Sequence, residues 1–360
     1  MPIQSKMPVI MSLKIKGVCL NNIMPVILLL FWLPVSGQGV FQDLDKFLED
    51  NKKAMGNNYT ALVWKDGKVL YQKQGTDFTL KTQAPILHAG NWLTAALVMS
   101  FVDEGKISLD DKVSKYIPVF ATYMKGYITI RNCLTNTTGI HTEGGVLKVF
   151  QKSRFESLEA EVNQFATKRE IEANPGTEFY YSNIGPSIAG RVLEIISKKS
   201  FDRLIQEKLL RPLKMRGTNF NNDQGGAVDP SGGARSTAND YMNFLIMMLQ
   251  KGVFEGKRIL SEESVAEMEK TQFPSLPAKY VPKGAEGFHY GLGCWIMGIN
   301  PSGMPAAVGC PNLVGTFPYI DRCRNYAAIL LVKAPQDELN KEFFSHFREL
   351  IDLQVPGGCQ

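Results

Sequence analysis

Four histidines, His88, His141, His289 and His346, are the side chains of this 360-residue chain whose unperturbed titration falls near neutrality, where proton transfer to a substrate is easiest. His141, His289 and His346 show no ligand spacing to one another or to acidic residues and read as ordinary surface or half-buried positions. His88 precedes a helical pattern, Asn91 to Glu104, in which Leu93, Ala96, Leu97 and Phe101 share a face and Gly105 is the stop signal. An imidazole at that helix N-terminus suits a base or a nucleophile, and equally a tolerated polar residue. Tyr181 and Asn183 carry groups that bind ligand carbonyls or hold a loop by hydrogen bonds. No Cys-x-x-Cys occurs, so no zinc or redox motif is supported. Gly232-Gly233 lacks the spacing and lysine of a nucleotide-binding loop and reads as a tight turn.

The elements that must carry these residues alternate in kind along the chain. Val40 to Ala54 has Phe41, Leu44 and Phe47 at helical spacing, and the strands Tyr59 to Trp64 and Lys68 to Gln72 flank a Lys65-Asp66-Gly67 turn. The middle is mostly helical, with periodic runs at Ser187 to Lys198, Phe201 to Leu210 and Ala238 to Lys251. Strand character returns at Tyr290 to Gly298, Leu313 to Ile320 and Tyr326 to Val332, and Lys341 to Leu353 closes as a helix. A sheet built from both chain ends implies an α/β chain of the α+β kind. Its antiparallel lobe, 40–86 with 286–353, is interrupted by a helical lobe, 87–285, with the site between them in one domain, 38–355.

Several segments carry a family likeness. They are Trp92-Leu93-Thr94-Ala95-Ala96, Val102 to Asp111, Val113 to Pro118, Ile128 to Leu134 with Thr138-Gly139-Ile140, and Pro175 to Asn183. Gly232 to Thr237, Tyr290-Gly291-Leu292-Gly293 and Gly315 to Asp321 complete the set. In order and spacing, over almost all of residues 40 to 350, the chain resembles the class C β-lactamase-related serine hydrolases, a group of β-lactamases, penicillin-binding proteins, D-amino-acid-releasing peptidases and esterases. The resemblance implies a β-lactamase/transpeptidase-like fold, with the antiparallel sheet flanked by N- and C-terminal helices plus a large helical insertion. It also implies acyl-enzyme chemistry without metal or organic cofactor.

That chemistry uses Ser-x-x-Lys at a helix start, because positions three apart share a face and the lysine amine takes the serine proton. A Tyr-x-Asn assists proton transfer and orients the acyl group, and a Lys/His-x-Gly lies on the strand lining the cleft. Tyr181-Ser182-Asn183 keeps the second motif. Counting back from Trp92, the first has become His88-Ala89-Gly90-Asn91, with His88 at the serine position and Asn91 at the lysine position. The third reads Cys310-Pro311-Asn312, so Cys310, Asn312 and Leu313 are the candidate substrate-binding residues. The chain is therefore expected to be catalytically impaired while keeping a cleft for a small acyl, peptide or peptidoglycan-like ligand. The alternative is an active serine hydrolase (esterase, β-lactamase or D-amino-acid peptidase). Codons for the Ala-Ser-Cys-Ser-Lys of related sequences, read one base out of frame, give Leu-His-Ala-x-Asn, which matches Leu87, His88, Ala89 and Asn91 but not Gly90.

Composition narrows the partners. At 44% hydrophobic and 21% charged residues the chain is long and apolar enough for a large core, which excludes disorder, collagen and small disulfide scaffolds. The net charge of +5 includes Lys6, Lys14 and Lys16, so 37 bases against 35 acids remain after residue 37, and nothing asks for nucleic acid. Those lysines, the apolar run Ile23 to Leu33 and the small residues Val35-Ser36-Gly37 read as a signal peptide, 1–37. The run is too short to span a bilayer, so a secreted or periplasmic location is expected, with no stable membrane span after cleavage; an uncleaved signal anchor is the alternative. Five cysteines would then remain. Cys310 with Cys323, on two segments read as adjacent strands, is the preferred pair, and five unpaired thiols are the alternative.

Overall fold

The computed structural model describes residues 41–75, 77–141, 155–220, 225–312, 315–334 and 339–359. The expected signal peptide and Leu313 lie outside the described residues. The centre of the fold is a seven-stranded sheet made of β1 (Tyr59–Lys65), β2 (Lys68–Gln74), β3 (His289–Tyr290), β4 (Trp295–Ile299), β5 (Pro305–Gly309), β6 (Phe317–Asp321) and β7 (Tyr326–Val332). The strand order is β2-β1-β7-β6-β5-β4-β3, and every neighbouring pair is antiparallel. β1 and β7 pair in the middle, Tyr59 opposite Val332 through Lys65 opposite Tyr326, so the two ends of the chain close one sheet.

β7 is buried along its whole length, and period-2 alternation sends its side chains into two cores. Ala328, Leu330 and Val332 join Ala61, Val63, Phe317 and Tyr319 on the outer face, under the amphipathic helices α1 (Gln42–Asp50) and α6 (Lys341–Asp352). Ala327, Ile329 and Leu331 join Leu62, Ile296, Val308 and Ile320 on the inner face, against the helical part of the chain. There α2 (Gly90–Asp103) is apolar almost all round and buried from Gly90 to Met99, the signature of a central helix rather than a surface one. α3 (Ile184–Ser197), α4 (Ala238–Leu249) and α5 (Glu262–Glu269) complete the surroundings used below. Among the described residues no helix is long and apolar enough to cross a membrane.

Three expectations change. The single strand Tyr290 to Gly298 is a hairpin, because Gly291 to Cys294 turn back between β3 and β4, with Gly293 at φ +74° and the Gly291 amide donating to the Cys294 carbonyl at 2.9 Å. Pro305–Gly309 is a strand, and the strand expected from Leu313 begins at Phe317. Cys310 is not bonded to Cys323. Cys323 is disulfide-bonded to Cys359 in the C-terminal tail, and Cys310 is a buried free thiol. The segments are indeed adjacent, but the register sets Gly309 opposite Tyr319, and the Cys310 amide donates to the Pro318 carbonyl at 2.9 Å. Cys323 therefore lies five residues further along, about 16 Å at 3.3 Å per residue.

Candidate active site

The site begins at a strained turn. Ile86 is tied on both sides, its amide donating to the Ala234 carbonyl at 2.9 Å and its carbonyl accepting from Asn312 Nδ2 at 2.8 Å. Leu87 follows at φ +41°, in the left-handed region that a branched side chain avoids, at a cost on the order of 1–2 kcal/mol. That turn launches a single 3₁₀ turn, Leu87–Ala89, whose Ala89 carbonyl accepts from the Tyr241 hydroxyl of α4 at 2.8 Å. α2 then starts without a side-chain cap. At Gly90 there is no room for a side chain: a Cβ would come within 2.6 Å of the Ser231 carbonyl. His88 and Asn91, three apart, are both buried at the head of this helix.

Tyr181 is delivered from the helical side. The short strand Phe179–Tyr180 runs parallel to Ala278–Tyr280, and the Tyr181 amide donates to the Tyr280 carbonyl at 3.2 Å. Asn136, at φ +57°, holds the loop twice: its carbonyl accepts from the Tyr180 amide at 2.9 Å and its Oδ1 from the Ser182 amide at 3.0 Å. Asn183 is half-buried and opens α3 with no side-chain capping bond.

The structure brings three of the four expected catalytic positions together. Asn91 Nδ2 donates to the Tyr181 hydroxyl at 3.2 Å, and the His88 and Tyr181 rings lie 4.9 Å apart. Burial pushes the His88 imidazole down to about 4, so it is neutral at physiological pH, and its Nδ1 has no hydrogen-bond partner among the described residues. Burial, reinforced by Cys310, holds the Tyr181 hydroxyl protonated well above its ordinary range. Asn91 Oδ1 is likewise buried without a partner among the described residues.

Of the substrate-binding candidates, Asn312 spends its amide on the Ile86 carbonyl, and Cys310 is buried with its sulfur 3.5 Å from the Gly293 carbonyl. Burial raises that thiol far above its ordinary range, so it is not a nucleophile in this setting. Four groups were missed by sequence reasoning. Phe179, Tyr290 and Trp295 pack with Tyr181 as an aromatic cluster, Trp295 5.3 Å from Tyr181 and 4.7 Å from Tyr290. The fourth is His141, which does have acidic partners. It lies 3.0 Å from Glu172 and 2.5 Å from Glu178, and it stacks on Tyr180 at 4.1 Å. The alternation Phe179, Tyr181 was a visible signal, whereas Glu172 is brought to His141 where Ile171 bridges Ile140 and the Glu172 amide donates to the Gly139 carbonyl. Among the described residues no group of three or more His, Cys, Asp or Glu side chains is placed to hold a metal.

An antiparallel sheet with a buried helix whose N-terminus faces a Tyr-x-Asn loop is a β-lactamase/transpeptidase-like fold. The chain belongs to the Beta-lactamase family, whose profile matches residues 52–344. It is 28% identical over 191 residues to Protein flp of Staphylococcus aureus strain N315, covering 50% of this chain and 38% of that protein. It is 24% identical over 186 residues to the putative D-alanyl-D-alanine carboxypeptidase of Escherichia coli K12, covering 48% of this chain and 42% of that one. The match thus spans less than half the length of these curated relatives. Among solved structures, a putative beta-lactamase from Bacteroides dorei DSM 17855 superposes with a TM-score of 0.78 at 26% identity, over 87% of this chain and 98% of that one.

Proposed function

We propose that this chain is an exported member of the family that binds a small acyl, peptide or peptidoglycan-like ligand in its cleft and does not form an acyl-enzyme. One observation carries the reading: where acylation needs a hydroxyl and a base three residues apart, the helix offers the buried neutral imidazole of His88 and an Asn91 amide already donating to Tyr181. A carboxamide accepts no proton at neutral pH, and the protonated Tyr181 is no substitute base. Losing a serine nucleophile costs on the order of a millionfold in rate, and losing its base as well adds little, because the two act together. The Tyr181 loop, by contrast, is held by Asn136 and the Tyr280 strand, which supports the reading of a retained ligand contact. The Cys323–Cys359 disulfide supports an oxidising location.

The test is intact-mass analysis after incubation with a penicillin and, separately, with a fluorophosphonate. No adduct is expected. An adduct on the unaltered chain establishes the competing reading, an active serine hydrolase, and its mapped position names the nucleophile. Ligand retention is read by thermal unfolding with an N-acyl-D-alanyl-D-alanine peptide, a probe suggested by the name of the Escherichia coli relative. A midpoint that rises with peptide concentration supports the cleft, and a flat one removes it.

A further inference from the structure

We propose that Cys294 and Cys310 form a second disulfide, joining β4 to β5 directly beneath the Tyr181 cluster. In that ladder Trp295 is opposite Gly309 and Ile296 opposite Val308, and extending this register by one residue past the strand ends would set Cys294 against Cys310. Residues directly opposite in an antiparallel pair have Cα atoms about 4.5–5.5 Å apart, inside the roughly 4.4–6.8 Å that a disulfide spans. The two side chains share a face. Both cysteines belong to the inner core with Ile296 and Val308, whereas Trp295 turns to the aromatic cluster. The Cys310 sulfur already lies against both neighbours of Cys294, 3.5 Å from the Gly293 carbonyl and facing the Trp295 amide. In the structure both are thiols, and the Cys294 sulfur is turned to the Met268 carbonyl of α5 at 3.4 Å. The proposed bond requires rotation about the Cα–Cβ bonds that takes each sulfur off its carbonyl.

The oxidant is a small-molecule disulfide such as oxidised glutathione. One cysteine thiolate attacks a glutathione sulfur, forming a mixed disulfide and releasing one glutathione thiolate. The other cysteine thiolate then attacks the protein sulfur of that mixed disulfide and releases the second. Two S–H bonds are lost and one S–S bond forms in the protein. The two electrons pass to glutathione, and the two protons end on its thiols. Both cysteines are buried in the folded chain and burial raises both thiols, so the exchange takes place during folding, before the pair is buried and Cys294 packs on α5. The cross-link fixes the strand that carries Trp295 to the segment that ends at Asn312, two walls of the site. Cys133 is then the unpaired thiol among the described residues.

The experiment refolds the reduced, denatured full chain in a glutathione redox buffer, alkylates it under denaturing conditions and maps its peptides without reduction. The same map on soluble chain produced in an oxidising secretory compartment makes the reading independent of refolding yield. A cross-linked pair containing Cys294 and Cys310, with Cys133 alkylated, is expected. Recovery of Cys294 and Cys310 both alkylated, or either one joined to another cysteine, overturns the proposal.

Discussion

Asn91 Nδ2 donates to the Tyr181 hydroxyl across 3.2 Å, so the side chain at the expected lysine position occupies the tyrosine it would otherwise serve as a base. Replacing His88 by Ser and Asn91 by Lys restores a hydroxyl and an amine three apart on one helix face. The double variant is expected to take up one fluorophosphonate per chain at position 88, while the unaltered protein takes up none. Either single variant should stay unlabelled or label far more slowly, because nucleophile and base act as a unit. Gly90 must be kept, since a Cβ there meets the Ser231 carbonyl at 2.6 Å. Gly90→Ser is expected to cost about 1–3 kcal/mol by overpacking, measured by denaturant unfolding.

His88 makes stability depend on pH in a definite direction. Its folded value, about 4, lies below the 6.5 of the unfolded chain, because burial disfavours the imidazolium. The unfolded state therefore binds the extra proton first. Relative stability is intact above pH 6.5 and is lost as the pH falls from there to about 4, by at most about 3 kcal/mol. Glu161, whose carboxyl burial raises to about 8, contributes with the opposite sign over the same range. The His88 contribution is therefore read as the difference between the unaltered chain and His88→Gln in denaturant unfolding from pH 7.5 to 4.5. The unaltered chain should lose more stability, or gain less, than the variant as the pH falls. An imidazole that titrates near 6.5 by NMR in the folded protein would contradict the burial argument.

The fold was largely legible because its signals are local. The central helix, the β1–β2 hairpin and β7 follow from apolar periodicity and turn residues, and both termini of α2 fall within a residue of expectation. The site was half legible. Residue types at 88, 91 and 181 could be read directly, but whether His88 is charged depends on burial, which no spacing reports. The pairing of Cys310 failed because adjacency of strands says nothing of register, and a shift of five residues separates the sulfurs. The partners of His141 were hidden because they come from a loop that returns thirty residues later.

The turn between β6 and β7 is fastened to α5 by an ion pair between the half-buried Arg322 and the buried Glu269. Arg322 Nη2 lies 2.6 Å from Glu269 Oε1 and its Nε donates to Oε2 at 2.9 Å, while both terminal nitrogens also donate to the Met248 and Leu249 carbonyls at 2.8 Å. Burial raises the Glu269 carboxyl even beside this cation. Arg322→Ala leaves a buried carboxylate and two carbonyls unpaired and is expected to cost about 3–5 kcal/mol. A double variant, Arg322→Met with Glu269→Leu, should lose less than the single one by urea unfolding, because no charge is then stranded.

Gly293 is where the β3–β4 turn touches α2. Its φ of +74° suits glycine, and a Cβ would lie 2.5 Å from the Asn91 carbonyl and 2.8 Å from Ala95 Cβ. Gly293→Ala must therefore either leave the left-handed region, which breaks the β3–β4 turn, or push α2 away from the strand. Backbone strain of about 1 kcal/mol and overpacking of about 1–3 kcal/mol add to an expected loss near 3 kcal/mol. The displacement falls on the residue that donates to Tyr181. Introduced into the His88→Ser, Asn91→Lys background, Gly293→Ala should therefore slow fluorophosphonate labelling at temperatures where the chain is still folded. Gly67→Ala, at φ +81° with nothing within 4 Å of the added carbon, carries similar backbone strain and should leave the labelling rate unchanged. Equal slowing by both would mean that general destabilisation, rather than contact with α2, governs the site.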